Sequence, residues 1–214
     1  MFKEPKYNKE PRDKEKFTEE FDKFYSNFTA VYDIAVKRLP VWKTWIRQSI
    51  PHIQGPRVLE VSFGTGYLLT QYAHRFETFG IDYNGDMVET AKKNLLKKNI
   101  SASIIHGSVE SLPYEDEYFD SLVNTMAFSG YPDGEKALSE MIRVLKVGGK
   151  LILIDINYPK NRNSAGMVMT RFWASTGDII RNMDELFKEF KISYKDIEIG
   201  GFGSVHLYLA RREE

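Results

Sequence analysis

Three features of this 214-residue chain predict an α/β domain with a mainly parallel sheet. Short apolar runs alternate with helix-period segments from Val58 to Ile154. One run, Leu151-Ile152-Leu153-Ile154, is apolar throughout, as a strand covered on both faces requires. Two further β-patterned runs, Ile192–Ile199 and Ser204–Ala210, flank Gly200-Gly201-Phe202-Gly203, which reads as a hairpin. The βαβα rhythm places helices on both sides of the sheet, and the hairpin supplies an antiparallel pair, for seven strands in all.

Composition narrows the class. Hydrophobic residues make up 42% and charged residues 28%, the balance of a soluble globular domain. Thirty basic residues meet thirty acidic ones, so no net charge recruits nucleic acid or an anionic membrane. The absence of cysteine removes disulfides, thiolate nucleophiles and cysteine-ligated metals. His52, His74, His106 and His206 are scattered without ligand spacing, so no metal is expected. No apolar run approaches the length needed to span a bilayer, and the charged start has no signal-peptide core. A cytoplasmic location is the expectation.

The elements follow in order. Residues 1–16, dense in charge with two prolines, read as a mobile arm. Residues 17–214 then form one domain, divided into a helical cap over 17–55, a core over 56–156, and a lid segment with the hairpin over 157–214. In the cap, Phe17, Phe21, Phe24, Phe28 and Val31 recur at helical spacing, and Thr18-Glu19-Glu20 suits a helix start. A second helical segment runs from Ile34 to Ile50 with a break at Pro40. Strands are expected at Val58–Val61, Phe76–Ile81, Ala102–Ile105, Phe119–Asn124 and Leu151–Ile154. Helices are expected at Tyr67–Ala73, Met87–Leu96, Glu135–Leu145 and near Asp184–Phe190. The mixed stretch Asn161–Trp173 is left without an assigned element. Its Met167, Val168, Met169, Phe172 and Trp173, with Phe24, Phe28, Trp42 and Trp45, offer an apolar lid, a dimer contact or plain core, and membrane-surface contact is a further option.

The candidate site begins at Val58-Leu59-Glu60-Val61-Ser62-Phe63-Gly64-Thr65-Gly66, a strand ending on an acid and a glycine loop before a helix. A dinucleotide fingerprint needs a third glycine, and that position falls on Leu69. A phosphate loop needs a Lys followed by Ser or Thr, which Tyr67-Leu68-Leu69-Thr70 does not supply. No basic residue lies between Val58 and Tyr72 to neutralise a pyrophosphate, whereas Glu60 suits a ligand bearing an ammonium and a sulfonium. Asp82, at the tip of the second strand, suits the two ribose hydroxyls and repels a 2′-phosphate. The stretch Ile105-His106-Gly107-Ser108-Val109-Glu110 offers backbone groups and a small hydroxyl for an adenine edge.

Four segments together resemble a known family. Val58–Gly66 looks like the first motif of class I S-adenosylmethionine-dependent methyltransferases, and Gly80-Ile81-Asp82-Tyr83-Asn84-Gly85-Asp86-Met87 looks like the second. Ser111-Leu112-Pro113-Tyr114-Glu115-Asp116-Glu117-Tyr118-Phe119-Asp120 and Ala137–Gly149 resemble the segments that precede the fourth and fifth strands. The subgroup resembled is the ubiquinone/menaquinone and small-molecule or phospholipid methyltransferases, to which Tyr32-Asp33 and Gly201–His206 are also similar. The resemblance implies a Rossmann-like fold, S-adenosyl-L-methionine as cofactor and S-adenosyl-L-homocysteine as product. It also implies transfer of a methyl group by in-line displacement to a small, hydrophobic or lipid-like acceptor. Ser62 stands where the family has its first glycine, and Ser108 where it often has Asp. After the fourth strand, Asn124-Thr125-Met126-Ala127-Phe128-Ser129 replaces the His pair that the family often shows.

The cofactor-binding candidates are therefore Tyr32, Glu60, Ser62, Gly64, Gly66, Asp82, Tyr83, Met87, Ser108, Val109, Asn124 and Thr125. No catalytic residue is fixed, and Asp155 and His206 are the weak candidates for a base. Tyr131 and Tyr158 are positioned to line an acceptor pocket. The expected partner is a small-molecule acceptor rather than nucleic acid, with a monomer or homodimer left open. Two rival readings stay open. One is a nicotinamide-dependent oxidoreductase, which Leu69 opposes; the other is a binding module that keeps the fold without transfer.

Overall fold

The computed structural model describes residues 5–20, 23 and 40–213. Its core is a seven-stranded sheet of β1 (Arg57–Val61), β2 (Glu77–Asp82), β3 (Ser103–His106), β4 (Phe119–Thr125), β5 (Leu145–Ile156), β6 (Ser193–Gly200) and β7 (Val205–Arg211). The order across the sheet is β3-β2-β1-β4-β5-β7-β6. The first five strands are parallel, and β7 lies antiparallel between β5 and β6. The chain reverses direction of travel between β3 and β4, so a crevice opens at the carboxyl ends of β1 and β4, the place where such sheets hold ligands.

The alternation of side chains along each strand builds two cores. Leu59, Val61, Leu122, Leu151, Leu153 and Tyr208 point to one face, where they meet Leu138 and Met141 of α5 (Gly134–Val144) and Leu186 and Phe187 of α7 (Met183–Glu189). Val58, Val123, Ile152, Ile154, Val205 and Leu207 point to the other, against Ile46 of α2 (Pro40–Arg47), Leu69 and Tyr72 of α3 (Leu69–Tyr72) and Val88, Ala91 and Leu95 of α4 (Gly85–Leu96). The central strands thus bury both faces, which is why Leu151–Ile154 of β5 is apolar without interruption.

Helix starts follow side-chain caps. Asn84 Oδ1 accepts from Met87 N at 2.9 Å, and Asp133 Oδ1 accepts from Lys136 N at 3.0 Å. Each satisfies an N–H that the first helical turn leaves open, an effect worth about 1 kcal/mol. Asn163 caps α6 (Ser164–Ser175) in the same way, through Gly166 N at 2.9 Å. The stretch Asn161–Trp173, given no element from sequence, is therefore mostly helix. Its Met167 packs with Ile156, Tyr158 and Ile180 in a separate small cluster, while Val168 and Phe172 face outward.

Two other expectations change. The helix after β1 is a single turn, α3, followed by a 3₁₀ turn at Ala73–Arg75, and β5 starts six residues before the expected Leu151. Residues 5–16, read from sequence as a mobile arm, are docked. Asn8 exchanges two hydrogen bonds with Ile180, N to O at 2.8 Å and Oδ1 from N at 3.0 Å. Glu10 Oε1 accepts from Gly134 N at 2.9 Å, and Lys14 Nζ reaches Asp133 Oδ2. Residues 14–20, the described part of α1, are helical, opened by Asp13, whose Oδ1 accepts from Lys16 N at 2.9 Å. Tyr32 and the expected helix beyond Phe21 lie outside the described residues.

Candidate functional site

A cavity of about 570 Å³ opens at the carboxyl ends of β1, β2 and β4. Its floor is the loop after β1. Ser62 turns this loop with φ 54°, a left-handed conformation that costs a non-glycine residue about 1–3 kcal/mol. The turn is held because Ser62 N donates to Ile81 O at 2.7 Å, tying the loop to β2. Gly64, also left-handed at φ 55°, donates its N–H to Asp82 Oδ2 at 2.7 Å. Asp82 Oδ1 accepts from Asn84 N at 2.9 Å, so one carboxylate fixes the loops after β1 and β2 together.

Behind the loop, Tyr131 Oη accepts from Asn124 Nδ2 at 2.7 Å and lies 2.7 Å from Ser62 Oγ. Asn124 Nδ2 also donates to Val61 O, which fixes the amide orientation, since the amide oxygen would repel that carbonyl. The Tyr131 hydroxyl and Ser62 Oγ share a second hydrogen bond in which either can donate. Burial raises Tyr131 above the ordinary phenol value, so the hydroxyl stays protonated.

Glu60 is 1% exposed and still reaches the cavity wall. The Tyr72 hydroxyl donates to its Oε2 at 2.9 Å. Burial pushes its carboxyl up to about 8, with the nearby Asp82 charge acting in the same direction against the Tyr72 bond. Across the wall as a whole, the acids Glu15, Glu19, Glu60, Asp82, Glu110 and Asp178 face one lysine, Lys14. That surface favours a cationic ligand. Its other side is less polar, with Trp42, Ile46, Met126, Ala127, Gly130 and Pro132.

Residues 59–153 match the family model described as a methyltransferase domain. The match covers 95 of the 214 residues and says what this stretch is similar to. A ubiquinone/menaquinone biosynthesis C-methyltransferase of Shewanella piezotolerans is 28% identical over 143 residues, covering 64% of this chain and 56% of that protein. A phosphatidylethanolamine N-methyltransferase of Cereibacter sphaeroides is 31% identical over 130 residues, 59% of this chain and 63% of that one. The chain thus spans little more than half the length of the first of these curated relatives. The fold is shared with a candidate S-adenosylmethionine-dependent methyltransferase of Methanococcus maripaludis, with a TM-score of 0.63 at 22% identity over 99% of this chain and 98% of that one.

The cavity brings together Glu60, Ser62, Gly64, Asp82, Tyr83, Met87, Ser108, Val109 and Thr125. Ser108 Oγ accepts from Glu110 N at 3.1 Å, shaping the loop after β3. Four expected site residues stand elsewhere. Asn124 lies behind Tyr131 and does not line the cavity. Gly66, expected to admit a ligand, instead admits a helix: a Cβ there would lie 2.8 Å from Ala91 Cβ of α4. Asp155 and His206 are also off the cavity wall. Asp155 accepts from Ser129 N and Ile156 N, and His206 Nδ1 lies 2.8 Å from Asp196 Oδ1 beneath the hairpin. Of the expected apolar lid, Trp42 lines the cavity and α6 packs away from it, while Phe24 and Phe28 lie outside the described residues. Sequence reasoning missed Asp178 and the wall contributed by Lys14, Glu15 and Thr18, none of which lies near a motif.

Proposed function

We propose that the protein transfers the methyl group of S-adenosylmethionine to a small, largely apolar acceptor. The observation that carries this reading is Glu60, a fully buried carboxyl opening onto an acid-rich cavity wall, where a ligand's cation meets the charge the fold has desolvated. Bound there, the cofactor supplies a methyl carbon already activated by its sulfonium, so the protein's task is alignment and fitting charge. Glu60 holds the ammonium end. Asp82, anchored by Gly64 and Asn84, accepts from the ribose hydroxyls, with Tyr83 and Met87 beside it. Ser108 and Val109 border the adenine, and Ser62 and Thr125 lie towards the reacting end. The acceptor enters over Met126, Ala127, Gly130 and Tyr131, whose apolar surface favours an aromatic or lipid-like molecule.

The quinone and phospholipid chemistry in the names of the two relatives agrees with an apolar acceptor. No helix among the described residues is long and apolar enough to cross a membrane. Calorimetry with S-adenosylmethionine, S-adenosylhomocysteine and NAD tests the cofactor assignment. Binding of both adenosyl ligands and none of NAD is expected, and preferential NAD binding overturns it.

A further inference from the structure

A second group of polar side chains sits over the tips of β4 and β5. Ser129 Oγ lies 2.9 Å from Asp155 Oδ1 and 2.8 Å from Asp178 Oδ1. A serine hydroxyl carries one proton and donates to one carboxylate at a time. The second contact is satisfied only when that carboxyl holds a proton and donates it to Oγ. The three side chains are therefore built to accommodate one proton beyond those they hold with both carboxyls ionised.

The two acids differ in access. Asp178 lines the cavity on the acceptor side, beside Gly130 and Tyr131. Asp155 is 3% exposed, and its oxygens are held by Ser129 N at 2.8 Å and Ile156 N at 2.6 Å. The charged and titratable neighbours are Arg181, whose guanidinium donates to the carbonyls of Phe128 and Tyr131, and the Tyr131 phenol. Thr176 Oγ1 lies 3.3 Å from Asp178 Oδ2. Burial, reinforced by the neighbouring Asp178 charge, pushes Asp155 up to about 6, and burial raises Asp178 as well.

Resting on the methyl-transfer reading above, we propose that Asp178 is the catalytic base that takes the acceptor's proton, and that Ser129 passes it to Asp155. As the acceptor's oxygen, nitrogen or carbon bonds to the methyl carbon, the carbon–sulfur bond breaks and its electron pair stays on sulfur as a neutral thioether. The acceptor's proton moves to Asp178. Asp178 gives a proton to Ser129 Oγ, and the serine's own proton moves to Asp155 Oδ1. The step ends with Asp155 neutral, Asp178 ionised and the serine intact. Ser129 and Asp155 act as positioning residues, because neither meets the acceptor.

Carboxyl NMR of the full chain labelled with ¹³C at aspartate is titrated between about pH 4 and 8, with Ser129→Ala beside the unaltered protein. Asp155 and Asp178 are expected to titrate as a coupled pair, each signal moving in two steps, and Ser129→Ala is expected to leave single steps. Independent single steps in the unaltered protein overturn the relay. Turnover is then measured near neutral pH with 1-naphthol and benzylamine, which lose a proton on methylation, and with quinoline, a weak base that is unprotonated there and loses none. Asp178→Asn is expected to lower kcat about 10²–10⁴-fold more on the first two than on quinoline. It is also expected to shift the acid limb of the kcat pH profile and to leave cofactor Kd within about twofold. Equal losses on both kinds of acceptor overturn the assignment, as does an absence of turnover with both proton-losing acceptors. Failure to bind S-adenosylmethionine overturns the methyl-transfer reading itself, which the carboxyl titration does not depend on, so the two failures are distinguishable.

Discussion

Cofactor binding is expected to release a proton from Glu60. The free protein holds this carboxyl protonated at neutral pH, because burial sets its pKa at about 8. An ammonium brought against it favours the ionised form and pulls the pKa down. If the complex lies below about 6, the observed association constant scales as 1/(1 + 10^(8−pH)) across the neutral range. Affinity at pH 7 is then about tenfold below its plateau, and at pH 6 about a hundredfold below it. Proton release at pH 7 is about 0.9 per cofactor. The ligand's own α-amino group titrates near 7.7–8.0, so the window is kept below about pH 7.5. Calorimetry of S-adenosylmethionine binding in buffers of differing ionisation enthalpy reads the proton count directly, and Glu60→Gln is the control. A wild-type count near zero at pH 7 with a pH-independent Kd would refute the reasoning. A Glu60→Gln variant that releases as many protons as the wild type would do so equally.

The same group makes the ligand-free protein pH-sensitive. Its folded pKa is raised from 4.5 to about 8, so its contribution to stability is full below pH 4.5 and is lost as pH rises towards 8. About 3 kcal/mol is lost by pH 7. Denaturant unfolding of Glu60→Gln is expected to show a shallower fall between pH 5 and 8, and identical slopes would count against it. Asp82→Asn is expected to weaken S-adenosylmethionine binding by about 1–3 kcal/mol through lost charge-assisted hydrogen bonds, and an unchanged Kd would remove Asp82 from the ribose. Gly66→Ala drives a methyl to within 2.8 Å of Ala91 and strains a φ of +72°, for an expected loss of about 1–3 kcal/mol. Adding Ala91→Gly is expected to recover the steric part alone; a fully additive pair in a double-mutant cycle would show that the two residues do not meet. Ser62→Gly relieves the left-handed turn while losing the Tyr131 bond, so its stability stays within about 1 kcal/mol of wild type. Ser62→Ala keeps the strain and loses the bond, and is expected to melt lowest of the three.

What the sequence revealed and what it hid divide along local and non-local lines. Strands β1, β4 and β5 were legible because each is a short apolar run between turn residues, a signal contained within a dozen positions. That Glu60 and Asp82 would stand at strand tips was legible because a strand end beside a glycine loop is a local pattern, and both line the cavity. Helix α6 was missed although Asn163 and its bond to Gly166 N mark a start, because its apolar residues face two ways, Met167 inward and Phe172 outward. Residues 5–16 looked solvated because, beyond the local pairs Glu10–Lys14 and Lys16–Glu20, the partners of their charges are remote in sequence. Those partners are 171 residues away for Glu10 and Arg181 and 119 for Lys14 and Asp133 (181 − 10 and 133 − 14), and no window on the sequence joins them. Gly66 shows a different limit. A glycine that admits a ligand and one that admits a helix carry the same letter, and only the position of Ala91 separates them.

The antiparallel seam of the sheet bears on how the chain is made. Strand β7 sits between β5 and β6, so β5 keeps an unpaired edge until residues 205–211 exist. About 50 residues separate the end of β5 from the start of β7, and synthesis at about 5–20 residues per second takes about 2–10 s to supply them. Throughout that interval the nascent polypeptide presents Leu151–Ile154 as an open apolar strand, the form most prone to pair with a second nascent chain. Synonymous changes that slow translation over residues 157–204 are therefore expected to cost soluble yield, although they leave the finished protein unaltered.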